Sequence, residues 1–303
     1  MKQRIITAIV AIGVLLPILI FSETPLLPVA LGICSVICIF EMARCIGMQK
    51  AYPLTIPLYL VALVVPFLVR YIGTEGDEAS LALSLKIVVV IGVAVLMYFL
   101  AVLTFSHGKY KLADVCILYV TALYIMLGFN GIGVLRIHRH EGALAYLTIF
   151  FCAWVTDTFA YFCGMLLGRG GKHKLIPDVS PKKTVEGAVG GVVFCVLFMI
   201  VYGYICNCII ASSAEMTLWA VLKNYVTGQN VSASLINFAI AGLLASIVAQ
   251  VGDLVMSVIK RTYGIKDYGK LFPGHGGMVD RFDSVLSVSI ALLAYTSFFE
   301  FFG

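Results

Sequence analysis

The residues best equipped for chemistry lie between two apolar runs near the C-terminus. They are Ser257, Lys260 and Arg261, then Lys266 and Asp267, then Pro273-Gly274-His275-Gly276-Gly277, and finally Asp280-Arg281-Phe282-Asp283. Charged side chains are expensive inside a bilayer and persist there where they are used. The glycines let backbone N–H groups approach a ligand closely, and phosphates favour such concavities. Cations, acids and a phosphate-type loop together suit the transfer of a group between two anions, where charge and alignment do most of the work.

A second polar stretch precedes it. Asp157, Tyr161, Gly164 and Gly168 recur at helical spacing and share one face. An acid in an apolar span is a site candidate by default, and a close-packing glycine stripe is the plainer alternative. The loop that follows carries Lys172, Ser180, Lys182, Lys183, Thr184 and Glu186. It combines basic residues and hydroxyls with a helix start, whose free N–H groups suit anions, and Thr184 can cap that helix. The rival reading is a basic loop before an ordinary helix. Asp253, Ser257 and Lys260 again share a face; Asp253 suits a hydrated divalent cation facing phosphates, or a structural pairing with Lys260. Asp280 and Asp283 lie together at a helix start, where the dipole favours acids, with Arg281 pointing elsewhere. For His275 the residues leave a phosphate contact, a general acid and a turn residue open, and the glycines on both sides favour phosphate.

The pattern Ser-x-x-Lys-Arg, Lys-Asp and Pro-x-His-Gly-Gly-x-x-Asp-Arg-x-Asp, complete here from Ser257 to Asp283, resembles the signature of the phosphatidate cytidylyltransferases. Ser180-Pro-Lys-Lys-Thr-x-Glu-Gly187 is similar to that family's second block. The resemblance implies that CTP and phosphatidate are converted to CDP-diacylglycerol and pyrophosphate. On that reading Asp253 and Asp280 hold Mg²⁺, with a second cation as an alternative. Lys260, Arg261 and Lys266 neutralise the lipid phosphate and developing charge, while Asp267 and Asp283 orient those cations or bind metal through water. Gly276, Gly277, His275 and Arg281, with Asp157, Lys172, Ser180, Lys182, Lys183, Thr184 and Glu186, belong to the nucleotide and phosphate contacts.

These residues need a membrane scaffold. The chain has 303 residues, of which 61% are hydrophobic and only 12% charged, and its mean hydropathy is +1.02. A crossing takes roughly 20 mainly apolar residues. Nine spans are expected, at roughly 5–21, 26–43, 53–71, 84–105, 112–133, 143–167, 185–211, 235–259 and 279–301, forming an all-α polytopic bundle. With the N-terminus cytoplasmic, only Arg70, Lys86, Arg136, Arg139 and Lys223 of the 21 Lys and Arg lie outside, which sets the orientation. Polar loops 168–184 and 260–278 then share the cytoplasmic face, from which a nucleotide would arrive. The apolar run near the N-terminus lacks a cleavage site and reads as a retained helix. Residues 1–140 read as scaffold with almost no ionisable group in a span, and 141–303 as the catalytic region.

The expected setting is therefore the cell (inner) membrane, multi-pass. The net charge of +5, with no basic–aromatic interleaving, argues against nucleic acid. The nine cysteines fall mostly within apolar runs and read as small buried hydrophobes. A homodimer is an expectation for an intramembrane enzyme of this size, with no interface legible. A transporter would spread its acids near the midplane, whereas these crowd one end. A CTP-dependent lipid kinase is a rival enzyme, and a purely structural protein leaves both polar blocks unexplained.

Overall fold

The computed structural model describes residues 2–72, 78–137, 142–168, 173–214, 231–274 and 276–299. In chain order its elements are α1 (Lys2–Ile20), α2 (Leu26–Ile46), α3 (Tyr52–Ile72), α4 (Glu78–Phe105), α5 (Leu112–Ile137), the single turn α6 (Gly142–Ala145) and α7 (Leu147–Leu167). Strands β1 (Lys174–Ile176) and β2 (Ser180–Thr184) follow, then α8 (Val185–Ala214), α9 (Val231–Thr262) and α10 (Val279–Thr296). Among the described residues, seven helices are long and apolar enough to cross a membrane: α2, α3, the Lys86–Phe105 part of α4, α5, Gly142–Leu167, the Val185–Ile209 part of α8 and the Ser232–Thr262 part of α9. The molecule is thus an all-α membrane-type bundle with one small hairpin. The first and last expected spans are present as helices, but α10 is short and carries Asp280, Arg281 and Asp283 in its opening turns, which lowers its apolar character.

The chain forms two compact units, residues 1–146 with 256–286, and residues 147–255 with 287–303. Residues 256–286, grouped on sequence grounds with the C-terminal half, pack with 1–146. In that first unit α2, α3 and α5 enclose a core that includes Ile39, Met42, Leu54, Leu58, Leu118, Ile125 and Phe129, all nearly solvent-free. Gly128 of α5 lies directly against Leu286. Arg136, which stands against the positive-inside pattern, donates Nε–H to Ser22 Oγ at 2.8 Å and pairs with Glu23 at 2.9 Å, so it fastens the end of α5 to the α1–α2 turn. The neighbouring His138, Arg139 and His140 lie outside the described residues.

In the second unit α7 and α8 touch through glycine. A methyl at Gly187 would lie 2.5 Å from the Ala160 carbonyl oxygen, and one at Gly191 2.9 Å from that of Thr156. In lipid, where burial of apolar surface gives no drive for helices to associate, such backbone approach is a principal source of packing energy. Thr156 and Ser246 add a buried hydrogen bond of 2.9 Å between α7 and α9. The polar loop between α7 and α8 contains the antiparallel pair β1–β2. Pro177 and Asp178 occupy its turn, residue types that preset and hydrogen-bond tight turns.

Candidate functional site

In the first unit the polar constellation is built around the carboxylate of Asp280, whose side chain is 4% exposed. Helix α9 stops at Gly264, whose φ of 66° is a left-handed value that favours glycine. The amides of Gly264 and Ile265 bond back to the carbonyls of Arg261 and Lys260 at 3.1 and 2.9 Å, closing the helix end as glycine C-caps do. This leaves Lys260 in the last turn, and its Nζ donates to Asp280 Oδ1 at 2.9 Å. The other oxygen, Oδ2, accepts the backbone N–H groups of Tyr268 and Gly277, both at 2.9 Å. One acid at the start of α10 thereby ties together the helix before the loop, the middle of the loop and its glycine end.

The loop is folded tightly on itself. The Phe272 amide donates to the Gly276 carbonyl at 3.0 Å, and Gly276 has φ 87°. A side chain at Gly276 would also begin 2.8 Å from Asp280 Oδ2, so both backbone shape and space call for glycine there. Tyr268 is almost fully buried, and its hydroxyl donates to the Met256 carbonyl at 2.8 Å. Burial drives the Tyr268 phenol far above its usual range, with Cys45, Asp280 and Asp283 pushing the same way, so it stays a neutral donor. The Lys260 ammonium stands 5.4 Å from the centre of its ring, within cation–π range.

Two residues of α2 complete this constellation, and sequence reasoning missed both. Helix α2 ends at Gly47 (φ 82°), whose N–H turns back to the carbonyls of Ala43 and Arg44. Arg44 Nη2 donates to the Tyr268 carbonyl at 2.6 Å. Glu41, 3% exposed, accepts the Val279 N–H at 3.0 Å. Within residues 1–140, expected as scaffold, Glu41 is a buried acid of α2 that sits against the glycine loop. The signal was present: Glu41 is the one acidic residue in α2.

The remaining predicted residues of this unit divide. Asp283 is buried, and its carbonyl accepts the Tyr124 hydroxyl at 3.1 Å. Ser257 is also buried. Arg261, Lys266, Asp267 and Arg281 are exposed at the surface. His275 lies outside the described residues.

In the second unit the hairpin carries several of the expected site residues. Lys183 Nζ lies 2.5 Å from Asp253 Oδ2, each side chain about a quarter exposed (28% and 25%). Thr184 caps α8 as expected, its Oγ1 accepting the Gly187 N–H at 3.1 Å. The same hydroxyl lies against Gly164, so the cap and the glycine face of α7 fit together. Glu186 approaches His173 Nδ1 at 2.5 Å. Gln250 donates to the Ala188 carbonyl at 3.1 Å, a further tie between α9 and α8. Ser180 is half-buried and Lys182 exposed. The face shared by Asp157, Tyr161, Gly164 and Gly168 is mixed: Gly164 and Gly168 meet Thr184, while Asp157 and Tyr161 are exposed. Lys172 lies outside the described residues.

Among the described residues no cluster of three or more His, Cys, Asp or Glu could cage a metal. Mg²⁺ does not require one, because it is commonly held by one or two carboxylates, waters and substrate phosphates. Asp253 and Asp280 each already face a cation, the ammonium of Lys183 or Lys260, and offer hard oxygen donors. That donor chemistry fits Mg²⁺.

Comparison with known proteins agrees with the polar blocks. The cytidylyltransferase family matches residues 2–299, nearly the whole chain. A phosphatidate cytidylyltransferase of Staphylococcus haemolyticus (strain JCSC1435) is 30% identical over 288 residues, covering 95% of this chain and 96% of the relative. That of Staphylococcus saprophyticus is 31% identical with the same coverage, and that of Staphylococcus aureus (strain COL) 30% identical over 290 residues, 95% of this chain and 96% of the relative. A match that runs through both units and every motif places the chain in the cytidylyltransferase family.

Proposed function

We propose that this protein transfers the cytidylyl group of CTP to phosphatidate, giving CDP-diacylglycerol and pyrophosphate for phospholipid synthesis. It is read as a nucleotidyltransferase working within the membrane. A phosphatidate oxygen forms the new bond to the α-phosphorus of CTP, and the bond from that phosphorus to the pyrophosphate oxygen breaks. The nucleophile is already an anion near neutral pH, so no strong base is needed. The barrier lies in bringing it against a triphosphate, which cations and fixed N–H donors lower.

The observation that carries this reading is the Asp280 constellation, a buried acid gripping a lysine and a glycine loop at a helix start. Lys260 is the cation held in place for phosphate charge, with Arg261 and Lys266 supplying more from the exposed end of α9 and its loop. Gly276 and Gly277 present backbone beside Asp280 and, with His275 and Arg281, serve phosphate binding. Asp267 and Asp283 orient the cations. On the hairpin Ser180, Lys182, Lys183 and Thr184 serve the nucleotide phosphates, with Asp157, Lys172 and Glu186 supporting them. Mg²⁺ would be held by Asp253 and Asp280 and, when bound, would offset phosphate charge, with a second cation as an open alternative.

The same reading takes α1 and α10 as spans, for nine in all. It sets the N-terminus and both polar loops in the cytoplasm, and the chain in the cell (inner) membrane. The preference of basic residues for cytoplasmic loops supports this orientation. A homodimer in the bilayer belongs to the same proposal, with crosslinking in membranes as its check.

The test is pyrophosphate release by purified protein given CTP, phosphatidate and Mg²⁺. Release should require both substrates and fall away on chelation. Release without phosphatidate, or none with all three present, overturns the proposal.

A further inference from the structure

The Asp280 constellation contains a buried acid to which the reaction assigns no task. Glu41 accepts the N–H of Val279, the first residue of α10, and the amide of Met278 faces the same carboxylate. Its two oxygens fill the space beside Gly269 and Gly277 so closely that a side chain at either glycine would collide with it. One helical turn further on, Arg44 holds the Tyr268 carbonyl. Residues three apart lie on one helix face, so α2 presents an acceptor and a donor side by side to both ends of the loop. The donors that Glu41 satisfies are the free N–H groups of a helix start, which favour an anion.

We propose that Glu41 is a positioning residue for the glycine loop. With Arg44 as its partner it clamps the Tyr268–Val279 segment against α2, fixing where Gly276, Gly277 and Asp280 stand. It touches neither substrate nor metal and acts only through the loop. The catalytic half of this inference rests on the proposed cytidylyl transfer; the structural half does not.

The experiment compares wild type with Glu41→Ala and Glu41→Gln, purified in the same detergent, by trypsin cleavage and by initial rates. Lys270 is exposed within the loop, whereas Lys109 and Lys111 are exposed in the α4–α5 connection of the same unit. Cleavage after Lys270 should rise at least about tenfold in Glu41→Ala, with cleavage after Lys109 and Lys111 unchanged, because losing a charge-assisted hydrogen bond opens the segment locally. Glu41→Gln, which keeps one acceptor oxygen, should fall between. The kcat should drop in the same order, by about tenfold or more for Ala, with KM for CTP within about threefold, as expected where ordering of the site is lost. Unchanged cleavage at Lys270, or an equal rise at Lys109 and Lys111, overturns the clamp. Faster cleavage with wild-type kcat removes the positioning role. A wild type that makes no CDP-diacylglycerol overturns the proposed reaction instead, and the cleavage pattern still decides the clamp.

Discussion

Replacing Lys260 with methionine should separate what the Lys260–Asp280 pair does for the fold from what it does for the reaction. The side chains are 12% and 4% exposed, so the pair is shielded from water. Removing one partner of such a pair costs about 3–5 kcal/mol, because the other charge is left buried and uncompensated. Asp280 retains the Tyr268 and Gly277 amides on its second oxygen, which places Lys260→Met near the lower end, at about 3 kcal/mol. Adding Asp280→Asn removes the stranded charge. The asparagine oxygen can still accept both amides, and its NH₂, now facing methionine, is left short of one partner at about 1 kcal/mol. The double variant should therefore be more stable than the single one by about 2 kcal/mol. Activity should behave in the opposite sense. Both variants lose the ammonium proposed to face phosphate charge, so each should fall by about a hundredfold or more, with no recovery in the double. Denaturation in detergent gives the first quantity and radiolabelled CTP incorporation the second. Lys260→Met at wild-type stability, or a double variant no more stable than the single, would refute the reasoning about burial. Recovered activity in the double would refute the role of the ammonium.

Three further outcomes follow from the same geometry. Lys183→Met should change stability by only about 1 kcal/mol or less, since its pair with Asp253 is part-solvated; activity should nevertheless fall about tenfold to a hundredfold, and full activity would remove Lys183 from the site. Gly187→Ala should destabilise by about 1–3 kcal/mol, because its methyl meets the Ala160 backbone oxygen at 2.5 Å and backbone cannot turn aside. Gly92→Ala, whose nearest neighbour is the Leu123 side chain at 3.6 Å, should be neutral or gain up to about 1 kcal/mol of helix propensity, so equal effects at the two sites would contradict the packing account. Tyr268→Phe should cost about 1 kcal/mol in the denaturation midpoint for the lost Met256 hydrogen bond and leave the loop in place, whereas loss of the protein altogether would show a larger role for the hydroxyl.

The apolar helices and the two polar blocks were readable in the sequence for one physical reason, although seven helices among the described residues, against nine expected, are long and apolar enough to cross a membrane. Charged residues and paired glycines are rare enough in so apolar a chain that their clustering carries information. Local geometry was readable too: Thr184 caps α8 as its place before the helix suggested. What was not readable depends on contacts between distant parts of the chain. Glu41 and Val279 are 238 positions apart, and no periodicity in α2 points to such a partner. Which lysine meets which acid was equally hidden. Helical spacing put Asp253 near Lys260, yet Lys183 comes to Asp253 from the hairpin and Lys260 goes to Asp280. The hairpin itself was masked because its strands are three and five residues long, too short to show alternation, although Pro177-Asp178 marked its turn.

The backbone-to-backbone seam between α7 and α8 bears on how this unit meets bilayers of different thickness. Where Gly187 and Gly191 meet Ala160 and Thr156 the two helices have no side-chain layer in which to slide, and the stacked rings of Phe159 and Phe194 add a further tie. Hydrophobic mismatch must then be met by leaning the pair as one body, or by deforming the surrounding lipid. The hairpin, whose strand β2 runs directly into α8, would be carried along with the pair, so that the place of Lys183 relative to α7 and α8 is insulated from the lipid environment.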